Sequence, residues 1–457
     1  MKKLKVFLLL FAVVLFFNLC KKIPPFADNQ YDTRLSGGSA TVFLSNAKAY
    51  GEAINGLSDY DKMMHDLGDI IFNQTFVSAP APLYGGLGPI YNNVSCVSCH
   101  HNDGKGAPTI GLINSSILAR ISLDGSDANN DALPIPNFGT QIQDKAIAGI
   151  TPEAKVTINY TEETFTFPDG ETAILRKPNY TVHSAYQALP ASFFLSIRSA
   201  PSVFGLGLLA LIPEHTLLSF ADPDDANGDG ISGRINYVYN SHTRQTEIGR
   251  FGLKANSPSI LLQSAAAFHQ DMGITNYIFS KESAWGQQQN DGRNDDPEIA
   301  DSILNATAFY IQTLAVPARR GVEDKIALQG EKIFHTLNCS GCHKSNITTG
   351  TDVRIPSLSN QRIHPYTDLL LHDMGPELAD NRPDFMASGS EWRTTPLWGI
   401  GLLLKVTGTE SYLHDGRAKT LTEAILWHGG EALNAKNQFV QLSKQDRAAL
   451  IKFLQSL

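Results

Sequence analysis

The sequence predicts a mainly α-helical protein made of two tandem, related domains, the first enlarged with loops and a small β-hairpin. Three observations predict it. A Gly-x-x-Ile-Phe phrase precedes a Cys-x-x-Cys-His pentapeptide twice: Gly68–Phe72 before Cys96–His100, and Gly330–Phe334 before Cys339–His343. A second phrase, Arg-x-x-Pro followed by an aromatic residue and Gly-x-Gly-Leu-Leu, also occurs twice, over Arg198–Leu209 and Arg393–Leu403. Apolar residues recur at helical spacing toward the end of each half.

Taken in order, the chain opens on a targeting segment. "MKKLK" is a positive n-region, and Val6–Leu19 is apolar except for Asn18, which suits the core of a signal peptide over residues 1–19 better than a membrane span. Cys20 follows directly. It reads either as the acylated first residue of a mature lipoprotein or as an incidental cysteine after an ordinary cleavage site. The first reading gives an exported, periplasmic protein anchored to a membrane through lipid on Cys20.

The first domain is predicted over 23–316. Gly68–Phe72 reads as part of a short helix, and the 24 residues from Phe72 to Cys96, against 5 from Phe334 to Cys339, mark an insertion. Val156–Tyr160, Thr164–Phe167 and Glu171–Arg176 alternate around Pro168-Asp169-Gly170, which predicts a hairpin. Asp296-Pro297-Glu298 reads as a helix start, with Ile299, Ile303, Ala306, Tyr310 and Leu314 on one face. "VPARRG" breaks that pattern, and the second domain is predicted over 321–457. Its last helix opens at Ser443-Lys444-Gln445-Asp446 and buries Leu450, Ile451, Leu454 and Leu457.

The composition is globular, with 42% hydrophobic and 18% charged residues, and the net charge is −8. No basic stripe is available to neutralise phosphates, so no nucleic-acid partner is expected.

Apart from Cys20, every cysteine lies in a pentapeptide: Cys96, Cys99, Cys339 and Cys342. Two thiols three positions apart can add to the two vinyl groups of one haem, and the adjoining histidine then lies beneath the iron. A redox dithiol does not need the histidine, and a zinc site would want further ligands at short spacing. Two covalent haems c are therefore expected, with His100 and His343 as proximal ligands and His101 as a solvated neighbour. Asp225-x-Asn227-x-Asp229-Gly230 resembles the first half of a calcium loop, although position 12 is Asn236 and not glutamate; an Asp/Asn/Gly turn that binds nothing is the other reading.

The phrases "FGLGLLALIPE", "DGISGR", "YTDLLLHDMG", "EWRTTPLWGIGLL", "YLHDGRA" and "AILWHGGEA" make the chain, over about residues 60–457, resemble the bacterial di-haem cytochrome c peroxidase superfamily. Within it, they resemble the di-haem oxidoreductase family, some members of which carry the label thiol oxidoreductase. The resemblance implies a peroxidase-like enzyme. It would use H2O2 at the N-terminal haem, with electrons relayed by the C-terminal haem from a donor such as a small cytochrome or cupredoxin. It also implies that the residue after "HDG…L-x-E-A" is the distal ligand of the C-terminal haem. That residue is methionine or tyrosine in relatives and His428 here, with Met374 as the runner-up; a core histidine is the other reading of His428. The same count of residues from Gly207 as separates Gly401 from His428 lands on Arg234, so the first haem is expected to keep an open face. Glu214, with His215 beside it, is the candidate acid/base for peroxide cleavage; a solvated helix-end glutamate is its other reading. A dihaem cytochrome that only transfers electrons is the alternative function.

Overall fold

Each Gly-x-x-Ile-Phe phrase lies on a helix that crosses a second helix at its glycine. The computed structural model describes residues 32–108 and 116–457, so the predicted signal peptide and Cys20 lie outside the described residues. Helix α1 (Asp59–Asn73) is capped by Ser58, whose Oγ accepts from the Asp61 amide, and it packs against α2 (Asp301–Gln312). Helix α3 (Lys325–Thr336), capped by Asp324, packs in the same way against α4 (Lys444–Ser456), capped by Ser443.

The two pairs share their contacts. A Cβ on Gly68 would sit 2.3 Å from the Ala306 carbonyl oxygen, and one on Gly330 would sit 1.9 Å from that of Ala449. The second repeated phrase does the same. A Cβ on Gly207 would lie 1.9 Å from the Gln312 oxygen, and one on Gly401 would lie 2.0 Å from the Gln455 oxygen. The preceding glycines, Gly205 and Gly399, both hold positive φ, at 72° and 74°. One construction is thus used twice.

The prediction of a mainly α-helical fold is not met. Helix accounts for 27% and strand for 18%, and the strands form several small sheets. Among the described residues, helices of twelve residues or more are confined to the paired helices and Ile260–Asp271. Between them, proline and glycine punctuate the chain, and backbone groups pair across short strands instead. Strand β1 (Ile117–Ser122) is central in a three-stranded antiparallel sheet with β2 (Gln141–Ile142) and β5 (Phe194–Ser199), in register Ile117↔Ser199 to Ser122↔Phe194.

The predicted hairpin is longer than its sequence pattern, running β3 (Lys155–Thr166) and β4 (Thr172–His183) around a turn closed by Gly170 at φ 87°. It does not stand free. Phe167 is buried in the aromatic core of the second half, 6.1 Å from Phe439. Arg447 of α4 stacks over Phe167 at 4.0 Å and pairs with Asp169 and Glu171. Farther along β4, the Arg176 amide donates to Glu423 at 2.9 Å and the Tyr180 hydroxyl donates to Asp415 at 2.6 Å.

Helix α2 begins at Asp301, later than the Asp296-Pro297-Glu298 start. Those residues are held elsewhere: Glu298 accepts from the Thr275 amide at 2.8 Å, and Asp296 accepts from the Thr275 hydroxyl at 2.6 Å. The segment that follows α2 is also not an exposed linker. Val316–Pro317 pairs in parallel with Thr41–Val42, and Val316 is fully buried. Arg34–Leu457 forms one compact unit, whose largest apolar cluster mixes Tyr50, Phe204 and Tyr310 with Ile363, Leu370 and Trp398.

Gly330→Ala should lower stability by about 2 kcal/mol or more, because the added methyl group forces α3 and α4 apart. An unchanged denaturation midpoint would mean that the close crossing is not required.

Candidate haem sites

The second pentapeptide follows α3 through Asn338, at φ 58°, into a single 3-10 turn. That turn sets the His343 amide on the Cys339 carbonyl, at 3.0 Å. The His343 Nδ1 donates to the Tyr366 carbonyl at 2.8 Å, which leaves Nε2 for a metal. Tyr366 is itself clamped between the rings of Phe334 and Phe453. His428 ends a short helix (Leu421–Trp427) that Thr420 caps, and its Nδ1 donates to the Ala424 carbonyl at 2.8 Å.

Cys339, Cys342, His343, His428 and Met374 all line one cavity of about 310 Å³, with Leu337, Leu403, Leu421, Phe439 and Leu450 among its apolar walls. Burial lowers His343 to about 4, with the nearby His428 lowering it further, and burial also pulls His428 below its usual value. Burial thus favours the neutral form of both imidazoles, the form that can bind a metal.

The first pentapeptide has the same anchor. The His100 amide bonds to the Cys96 carbonyl at 2.9 Å, and its Nδ1 donates to the Pro201 carbonyl at 2.7 Å. Phe72 of α1 lies 6.0 Å from the imidazole, as Phe334 of α3 lies 6.2 Å from His343. Burial lowers His100 to about 4.

The four sulfurs are free thiols. Burial raises Cys96, Cys99 and Cys339 to about 12 and also raises Cys342. Two thiols and a neutral, oriented imidazole beside an apolar cavity fit a haem, so the donor set agrees with that cofactor.

The remaining predicted residues lie elsewhere. Glu214 is exposed at the start of a helix (Glu214–Phe220), with exposed His215 beside it, and neither lines the cavity. Arg234 forms a two-pronged ion pair with Glu391. His101 lies 3.4 Å from the Ser116 hydroxyl. In the candidate calcium loop, Asp225 accepts from the Gly230 amide, Asn227 from Asp229, and Asp229 from Ile231. Asp225 is half-buried, Asn227 and Asp229 are exposed, and their oxygens bond to the loop's own backbone.

Sequence reading did not assign a role to two groups at the cavity. His372 lies 3.5 Å from the Cys342 sulfur and bonds Asp368 at 2.9 Å and Glu431 at 2.6 Å. Although burial pulls it down, those carboxylates hold it well above its usual value. Cys342, Asp368 and His372 group closely enough to suggest a cation site, yet both His372 nitrogens are occupied by carboxylates, so the group reads as an ion-paired imidazolium.

The other group is a stack of Trp392 on His414, 3.7 Å apart and 9° from parallel. Lys254 lies over Trp392 at 4.6 Å and is fully buried, with three oxygen partners: Asp380, Arg382 and Ser388. The cavity runs past this stack to Lys105 and Pro201, the residue that orients His100. "EWRTTP" and "YLHDGRA" contain both rings, but only the folded chain brings them together.

The description "Di-haem oxidoreductase, putative peroxidase" belongs to the family model that matches residues 30–457, and the chain belongs to this family. It is thus one of the di-haem oxidoreductases. No curated protein matches it. Among solved structures, it is similar to Kuenenia stuttgartiensis hydrazine synthase, at 14% identity and a TM-score of 0.35, covering 94% of this chain and 100% of that one. It is also similar to a MauG-like protein associated with microbial copper homeostasis, at 13% identity and a TM-score of 0.27, covering 56% of this chain and 89% of that one. No helix among the described residues is long and apolar enough to cross a membrane.

Lys254→Met should cost about 3–5 kcal/mol, since it leaves buried Asp380 with Arg198 at 3.6 Å as its cation and takes the donor from the Arg382 and Ser388 carbonyls. A guanidinium melt that matched the parent would show that the buried ammonium is dispensable.

Proposed function

We propose that this protein is a c-type di-haem peroxidase, with one haem on Cys96 and Cys99 and the other on Cys339 and Cys342. The observation that carries the proposal is an asymmetry. The second pentapeptide's cavity offers two neutral imidazoles, His343 and His428, each with Nδ1 tied to a backbone carbonyl. Arg234, the counterpart of His428 by repeat count, is occupied by Glu391. His343 and His428 would both hold the second haem, and two imidazoles in place of a Met/His pair would lower its potential. Met374, which lines the same cavity, would add to its apolar wall.

When bound, the haems would supply the redox chemistry. H2O2 takes two electrons and two protons to give two waters, with the electrons arriving singly from an external donor. The chain's own residues set the stage for this. The Pro201 and Tyr366 carbonyls fix the tautomer and direction of His100 and His343, and the leucine and phenylalanine walls exclude water from the second site. Glu214 stays the acid/base candidate on sequence grounds, and the Asp225 loop the candidate calcium site. Covalent attachment belongs to the cell exterior, so the reading includes export behind the 1–19 leader, with lipid on Cys20 as the anchor.

The ferric protein should show one low-spin bis-imidazole haem and one high-spin haem, and H2O2 should change only the latter. Two low-spin haems indifferent to peroxide would support an electron-transfer cytochrome instead. His428→Ala should convert the low-spin signal to high spin, and an unchanged spectrum would remove His428 from the iron. Colour extracted by acidified acetone, or a mass lacking two haem increments, would refute covalent attachment.

A further inference from the structure

The duplication that builds both haem sites places different residues at one matched position. A Cβ on Gly68 would lie 2.5 Å from the β-carbon of Tyr310 on α2, and one on Gly330 would lie 2.8 Å from that of Phe453 on α4. The two rings pack alike. Tyr310 lies 5.3 Å from Phe72, which lies 6.0 Å from His100. Phe453 lies 5.3 Å from Phe334, which lies 6.2 Å from His343. Phenylalanine therefore satisfies the packing, and the first copy carries an added hydroxyl.

That hydroxyl donates to the Asp103 carboxylate at 2.9 Å, and both residues are buried. Asp103 follows the first pentapeptide through a left-handed pair, Asn102 at φ 48° and Asp103 itself at φ 63°. Its match after the second pentapeptide is Asn346, which belongs to no such pair and accepts from Arg362 at 2.7 Å. Only the first copy strains its backbone here, and the strain sets a carboxylate against a phenol. Charge differs as well. Burial and the carboxylates of Asp103 and Asp69 hold Tyr310 above the usual phenol range, so it keeps its proton. Over Phe453 lies the Arg319 guanidinium, at 5.0 Å, and the same cation acts on neighbouring Tyr366. Carboxylates beside a ring ease removal of an electron from it, and a cation opposes removal.

We infer that Tyr310 is a redox-active tyrosine and Asp103 its proton acceptor, together storing one oxidising equivalent beside the first haem site. A buried phenol that loses an electron must also lose its proton, because an uncompensated positive charge there is costly. Tyr310 gives one electron to the H2O2-oxidised first haem. Its O–H bond breaks, and the proton passes to a carboxylate oxygen of Asp103, leaving a neutral phenoxyl beside a neutral acid. One electron from the external donor and return of the proton restore the pair. Phe72 lies between Tyr310 and His100, so the electron has a short path. The inference rests on the peroxidase reading for its oxidant. It deepens that reading by giving the first haem an electron source when the second iron is already oxidised.

The test is freeze-quench electron paramagnetic resonance on the fully ferric holoprotein mixed with H2O2. A tyrosyl signal should form, narrow when the protein carries ring-deuterated tyrosine, and show an exchangeable deuteron coupling in D2O from protonated Asp103. Tyr310→Phe should abolish it with the ferric haem spectrum unchanged, since Phe453 already fills the matched position. Asp103→Asn keeps the shape and an acceptor oxygen but cannot take the proton, so the yield should fall about tenfold or more. If Tyr310→Phe does not fold, Asp103→Asn and the deuteron coupling decide. An undiminished signal in either variant would overturn the inference and leave the peroxidase reading standing. So would a haem that H2O2 alters without any tyrosyl signal in the parent protein. A ferric haem spectrum indifferent to H2O2 would overturn both.

Discussion

The structure depends on a helix crossing so close that only a hydrogen atom fits between the two backbones. At Gly68 against Ala306, and again at Gly330 against Ala449, a methyl group would overlap a carbonyl oxygen. The crossing fixes where the following chain emerges, and that chain carries the cysteines and the histidine. Phe72 and Phe334, four residues beyond each glycine, face the two imidazoles at nearly equal distances. A second pair of glycines, Gly207 and Gly401, presses the later part of each repeat onto the end of the same crossing helix. The orientation of His100 and of His343 is thus set by backbone contact, which side-chain drift cannot easily loosen.

The halves are joined as firmly as each is built. The main core takes residues from both, and the β3–β4 hairpin reaches from the first half to cover the second half's aromatic cluster. Its tip turn places two carboxylates around Arg447 while Phe167 enters beneath the guanidinium. The stem then ties to Glu423 and Asp415, close to the helix that ends in His428. An insertion in the first half therefore braces the helix that places His428 at the cavity of the second.

Charge is buried where the cavity needs rigidity. Arg198, Arg382 and Lys254 surround Asp384 and Asp380 behind Trp392; against burial, the guanidinium groups of Arg198 and Arg382 and the Lys254 ammonium hold Asp384 well below the usual carboxylate range. Such a cluster holds Trp392 in one place, since moving it would strand several charges at once. Cations over its face also make loss of an electron from that indole costly. His414, on the opposite face, presents a neutral ring to the cavity, because burial lowers it to about 4.

By itself the sequence located the two Cys-x-x-Cys-His pentapeptides and the duplication, because these depend on residue type at short, fixed spacing. It also located the hairpin turn, since Pro-Asp-Gly is a local signal. Helix content was overestimated because two repeated helical phrases were extended to the chain between them, where proline and glycine favour short strands. The pairing of His428 with His343, the occupied state of Arg234, the exposure of Glu214 and the Trp392–His414 stack were decided by tertiary structure. Each depends on segments tens to hundreds of residues apart meeting in space, and no periodicity or spacing in one stretch encodes which distant stretch will face it.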